Sequence, residues 1–258
     1  MRTIQLWLKR MMKLGLILMM GVSLSANAGL FGFGGMNWKE EVQLHDGGIL
    51  VAERFYNLGG RPTIDSRERA ALDETVTFSL PSMGKQIIWK TDFRDSLPEQ
   101  NSLNLLILDV VKGVPYIATY PVGCIAYNKW KRPNPPYIFF KYESDEWQQI
   151  SLAEFPAELS KTNVIVGRPP SDLLKSFYKV EQVQDRNYYL QPEYKTILRE
   201  PMTNAGGRCG EMLYDGKGGW IGVGWFRDQP TYEACLKYCE HQEISAKYCP
   251  CETLFKGK

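Results

Sequence analysis

Four times between residues 38 and 152, an alternating apolar–polar run meets a short turn segment and is answered by a second such run. Residues 38–45 and 49–55 flank Asp46-Gly47-Gly48. "TVTFSL" and "QIIWKT" flank residues 81–85, "LNLLILDVV" and "VPYIATY" flank Lys112-Gly113, and "PYIFFKY" and "WQQISL" flank residues 143–146. Period-two alternation puts one face of a strand inward, and glycine or aspartate between two such runs marks a hairpin. Roughly 120 residues built this way suit a sandwich or a barrel. The expected fold is mainly β, an antiparallel hairpin-built sandwich or barrel-like domain over residues 36–165. A small α+β disulfide-stapled region follows over residues 166–258.

The first hairpin contains His45, one of two histidines, directly before Asp46. A metal phosphohydrolase built on such a pair needs further histidines on helices, and His241 is the only other one. The pair therefore reads as strand end and turn, where aspartate bonds the turn backbone. A two-residue loop would set Glu40 against Glu53. A three-residue loop sets Glu40 opposite Arg54 and Trp38 opposite Tyr56, and opposed like charges disfavour the first register.

Arg2, Lys9, Arg10 and Lys13 precede an uncharged apolar run at residues 14–24, and Ala26 and Ala28 follow in an A-x-A pattern. This is the layout of a signal peptide, predicting cleavage after Ala28 and a periplasmic product with no membrane span. Residues 29–35, "GLFGFGG", then form a flexible N-terminus. Taking the four basic leader residues from the 31 Lys and Arg leaves 27 against 29 Asp and Glu, a net charge of −2. Nucleic-acid binding requires a retained basic surface, so nucleic acid is excluded as a partner.

Beyond Phe155 the texture changes. "SDLLKSFYKVEQV" has Ser171 as a candidate cap, with Leu173, Leu174, Phe177 and Val180 at helical spacing, and residues 230–242 read as a short amphipathic helix. Six cysteines, Cys124, Cys209, Cys235, Cys239, Cys249 and Cys251, form an even set in an exported chain and imply disulfides. The set allows 15 connectivities. Cys235 and Cys239 share a helix face and should bond different partners, while Cys249 and Cys251 flank Pro250 too closely to pair with each other. Cys124 is expected to reach across from the β-domain. A zinc site on Cys209, Cys235, Cys239, His241 and the Cys249/Cys251 pair lacks the usual ligand spacing, so no metal and no cofactor is expected.

Searching for chemistry returns little. No G-x-S-x-G elbow is present. Ser82 to Lys85 matches S-x-x-K only across a turn, and the glycine-rich stretches lack a strand–GxGxxG–helix setting. "KWKRPNPPY" cannot be a central strand because proline lacks the ladder donor. We expect an exposed connection there, with Trp130, Arg132, Pro135, Pro136 and Tyr137 as candidate binding residues.

"NWKEEVQLHDG", "NKWKRPNPPYIFFKY" and "EFPAE" resemble a group of uncharacterised exported proteobacterial proteins, over about residues 37–170. The resemblance implies export and a recurring β-domain and carries no activity. The functional expectation is a non-catalytic periplasmic binding or interaction protein, immunity-like in one version, whose partner is another envelope protein. The alternative is a carboxylate-dependent hydrolase acting on envelope polysaccharide.

Overall fold

The computed structural model describes residues 34–59, 69–80, 84–93, 102–207 and 209–256. The expected leader, its expected cleavage point and residues 29–33 lie outside the described residues. Gly35, read as part of a flexible tail, already belongs to the first strand.

Two antiparallel sheets make the body of the protein. The first contains β1 (Gly35–Gln43), β2 (Ile49–Gly59), β3 (Ala70–Leu80) and β4 (Lys85–Asp92), and is completed by β9 (Phe177–Tyr178), in the order β4-β3-β2-β1-β9. The second contains β5 (Leu103–Val111), β6 (Val114–Pro121), β7 (Ile138–Glu143) and β8 (Glu146–Ile150) in sequence order. All four hairpins form as the alternation requires. The two tightest turn at Lys112-Gly113 and Ser144-Asp145, where all four residues have positive φ. That backbone follows the right-handed twist of the flanking strands.

The sheets pack face to face. Val42, Ala52, Val76, Phe78, Ile87 and Trp89 from the first meet Leu103, Leu105, Leu108, Ile117 and Ile138 from the second. The second sheet is also covered on its far face, by Phe155, Leu159 and Ile197 packed on Leu106, Ile107, Ala118 and Phe139. A register shift between Leu105 and Ile107 lets β5 serve both layers. The extra residue flips the side-chain parity, so Leu103 and Leu105 face one core while Leu106 and Ile107 face the other.

The first hairpin adopts neither anticipated register. Trp38 stands opposite Arg54 and Val42 opposite Leu50, across a five-residue loop from Leu44 to Gly48. The loop is closed by Leu44 N–H to Gly48 O and by Gly48 N–H to the Asp46 carboxylate. A two-residue displacement from the three-residue-loop register preserves parity, so the same face stays inward. Glu40 and Arg54 become diagonal neighbours and still pair.

That pair is buried. Glu40, Arg54 and Glu74 are each 0% exposed and lie on the inward parity of β1, β2 and β3. Arg54 Nη1 donates to Glu40 Oε1 at 2.8 Å and to the Ile165 carbonyl at 3.0 Å, and Arg54 Nε donates to Glu74. Glu40 Oε2 accepts from Trp38 Nε1 and from the Ile165 N–H. Beyond the reach of the second sheet, Ile165, Tyr178 and Val183 cover this end with Met36, Trp38 and Tyr56.

The segment read as one helix from Ser171 to Val183 is three elements. They are a 3-10 turn at Ser171–Leu173, β9, and a helix Val180–Arg186 (here α2). Ser171 is the first residue of the 3-10 turn, and Pro170 holds the position before it. The backbone of β9 instead pairs in parallel with Lys39 and Glu40 at the open edge of β1, and a ladder bond from Lys39 N–H to Ser176 O secures it. Tertiary pairing overrides the local helical pattern. An unanticipated helix, α1 (Gly123–Lys129), follows β6.

The remaining described elements are the short helix α3 (Pro192–Lys195), the β10 (Met212–Tyr214) and β11 (Trp220–Gly222) hairpin, and helices α4 (Gly224–Arg227), α5 (Tyr232–His241) and α6 (Cys251–Lys256). Thr231 caps α5, accepting from Ala234 N–H at 3.1 Å. Cys235 bonds Cys251 and Cys239 bonds Cys249, so α5 uses two partners from one face, as expected. Cys124 bonds Cys209 and ties α1 to the tail. The small core here is Phe226, Ile244 and the disulfides themselves. Cross-links of this kind stabilise a segment with too little apolar area of its own. No helix among the described residues is long and apolar enough to cross a membrane.

Replacing Arg54 with Ala would strand two buried carboxylates and should cost about 3–5 kcal/mol in urea denaturation. Burial pushes the Glu74 carboxyl upward, with Arg54 offsetting only part of the effect. A carboxyl raised by folding contributes stability that is complete below its ordinary value of 4.5 and is lost as pH rises through its folded value. Glu74→Gln should therefore flatten the stability–pH curve above pH 4.5, measured by thermal unfolding across a pH series.

Candidate functional site

The loop between β1 and β2 bends toward β5, and a cleft of about 740 Å³ opens beside the contact. Its walls are the end of β1 and its loop, Asp109 of β5, residues 158–163, one side of α2 with Asn187 and Tyr188, and Lys195-Thr196. The anchor is His45 on Asp109. The Asp109 carboxylate accepts from His45 N–H at 2.9 Å, from His45 Nδ1 at 2.8 Å and from Val110 N–H at 2.7 Å. Asp109 is 4% exposed in its side chain and His45 24%. A carboxylate on Nδ1 fixes the proton there and leaves Nε2 as the free ring nitrogen. The hydrogen bond to Asp109 holds the imidazole pKa above its usual range, outweighing burial.

Several lining side chains are committed to building the cleft. Asn163 Nδ2 donates to the carbonyls of Gln43 and Leu108, and its Oδ1 accepts from Leu108 N–H. One amide thus ties the end of β1 to the free edge of β5, occupying ladder positions an added strand would take. Asn187 bonds the backbone of Val164 and Val166. Thr162 donates to Tyr194 O, and Glu41 accepts from Val180 N–H at the start of α2.

Other groups face the cleft without such commitments. Among the described residues, the Glu158 and Lys161 side chains form no hydrogen bond or ion pair, and both are exposed. Lys195 Nζ lies 5.2 Å from the centre of the Tyr188 ring. Tyr188 stands edge-on to Tyr189, and the two are 65% and 88% exposed. An imidazole oriented by a buried aspartate is also the arrangement that activates a hydroxyl. No hydroxyl, thiol or carboxylate of the described residues bonds His45 Nε2.

The residues expected to form a binding edge lie elsewhere and in another state. Pro135, Pro136 and Tyr137 are buried, not exposed. The Tyr137 hydroxyl donates to Glu193 O at 2.6 Å and accepts from Leu198 N–H, and burial pushes its pKa up to about 12. Trp130 is half-buried and edge-on to Phe140, and Arg132 bonds Gly210 O and lies over the Tyr127 ring. This stretch is an internal strut. A tyrosine whose apolar ring and hydroxyl both find partners gains from burial, and those partners arrive from 56 and 61 residues away. The three sulfurs of Cys239, Cys249 and Cys251, which lie within 4.8 Å of one another, belong to two adjacent disulfides.

Reading residues in order flagged His45 but linked it to Asp46. The true partner is 64 residues away, and the scarcity of histidine was the only signal available. Comparison with family models, curated proteins and solved structures gives no match.

Because folding raises the His45 pKa, its contribution to stability is complete below 6.5 and is lost as pH rises through the folded value. Asp109→Asn removes the charge that holds it there. An NMR titration of the imidazole C–H should show the His45 midpoint dropping in that variant, and an unchanged midpoint would refute the pairing.

Proposed function

We propose that this is an exported, non-catalytic binding protein of the cell envelope, and that another envelope protein docks at the His45–Asp109 cleft. Three disulfides suit an oxidising compartment outside the cytoplasm, and the leader with cleavage after Ala28 supplies the route. The observation that carries the binding role is the cleft itself. It combines an oriented imidazole, uncommitted charges and the exposed ring of Tyr188 beside Tyr189, with no nucleophile of the described residues on the free ring nitrogen. Tyrosine is a favoured anchor at protein interfaces because it brings large contact area at little entropic cost. An immunity protein that masks an envelope toxin is one form of such a role.

The hydrolase alternative calls for two acids with opposed titration in a tryptophan-lined cleft. Among the described residues no tryptophan lines this one, and Glu74, whose carboxyl burial raises, sits in the core under Arg54. The arrangement favours binding.

A photo-crosslinking amino acid at Tyr189, in cells producing the protein, should yield one discrete protein adduct. The same probe at Ile88, on the outer face of the first sheet, should not. Absence of any adduct from Tyr189 and Glu158 positions alike would sink the reading, and the mature N-terminus should read Gly29 by mass spectrometry.

A further inference from the structure

We propose that Cys249 is a modification site for a low-molecular-weight thiol, and that capture of the thiol moves the cross-link between α5 and α6 by one helical turn. The site is separate from the His45 cleft and does not depend on what docks there.

Four cysteines of the tail form two disulfides whose sulfurs touch. Cys251 Sγ is bonded to Cys235, yet it lies 3.6 Å from Cys239 Sγ and 3.4 Å from Cys249 Sγ. The four differ in access. Cys235 and Cys251 are fully buried, Cys239 is 3% exposed, and of the four only Cys249 is half-buried. Exchange begins when a thiolate reaches a disulfide sulfur, so access decides which bridge reacts and at which atom. The Cys235–Cys251 bridge offers no reachable sulfur, and the Cys239–Cys249 bridge offers one.

The incoming thiolate bonds Cys249 Sγ, the Cys239–Cys249 bond breaks, and its electron pair leaves on Cys239 Sγ. That thiolate is released in contact with Cys251 Sγ. Its attack there forms Cys239–Cys251, breaks Cys235–Cys251 and leaves the electron pair on Cys235 Sγ. Cys235 ends with the proton that the incoming thiol gave up to water, because its buried place among Phe226 and Ile244 favours a neutral thiol. Two disulfides remain, one of them now to the external thiol, so no oxidant or reductant is consumed. Cys235 and Cys239 lie about one turn apart on α5, so Cys251 changes partner without leaving that helix face. The separation of the bridged cysteines falls from 16 to 12 residues. Closure entropy varies slowly with loop length, so neither bridge is strongly preferred on that ground. The Cys124–Cys209 disulfide is the internal contrast. Cys124 is exposed, but among the described residues no third sulfur lies beside that bridge, so exchange there frees one thiol and stops.

The test titrates the oxidised protein with reduced glutathione, quenches with N-ethylmaleimide and maps non-reduced peptides by mass spectrometry. Molecules with glutathione on Cys249 should carry the maleimide label on Cys235 and a Cys239–Cys251 bridge. Cys249→Ser frees Cys239 with no added thiol. In that variant the Cys235–Cys251 and Cys239–Cys251 bridges should both be present, within about tenfold of each other. Label on Cys239 with Cys235–Cys251 intact, in either experiment, overturns the onward exchange. Glutathione on Cys235, Cys239 or Cys251 before Cys249, or on none of the four while Cys124–Cys209 reacts, overturns the entry point. Near-UV circular dichroism accompanies each titration step, and modification of Cys249 only after the native signal is lost also overturns the proposal. The mapping of the unaltered protein decides the question even if the serine variant does not fold.

Discussion

One guanidinium buried between two carboxylates organises the first sheet. Arg54 has no access to water, so its charge is tolerable only while Glu40, Glu74 and the Ile165 carbonyl all remain in reach. Satisfying it requires three adjacent strands in one register and requires the chain at residue 165 to return across them. That return brings β9 and α2 onto the sheet edge and raises the wall of the cleft. Replacing the triad by apolar residues could keep the stability, since buried ion pairs are poor net stabilisers. What it supplies here is register: a slip of two residues would leave a bare charge inside.

The cleft inherits its geometry from that return. Residues 158–163 leave the second sheet, cover the open edge of β5 through Asn163, and pass into the stretch that meets Arg54. The loop of the first hairpin is held from the opposite side by His45 on Asp109. Two sheets that share a core thus also share a polar seam at one end, and the seam stays open to solvent. The disulfide-linked tail is tied on through Cys124 and Asn128, away from this opening.

Much of the fold was legible because hairpins are local. Period-two alternation and turn residues located all four in the sequence, and the spacing of Cys235, Cys239, Cys249 and Cys251 excluded pairings that the structure indeed lacks. The candidate site was far less legible. His45 was noticed, but Asp109 sits in a strand with nothing nearby to mark it, and Glu40, Arg54 and Glu74 violate the apolar pattern of their own inward faces. Tyr137 followed a proline-rich run whose composition suggested a surface loop. Its burial depended on backbone groups near residues 193 and 198.

The sequence by itself determined strand faces, tight turns and the separate destinations of neighbouring cysteines, because each depends on backbone geometry over a few residues. Tertiary structure alone decided which hydrogen bonds close between distant residues. Asp109 with His45, Arg54 with Ile165, and β9 with β1 are contacts whose gain depends on burial and on the exclusion of water. Neither condition exists until the sheets have packed, so no local pattern encodes them.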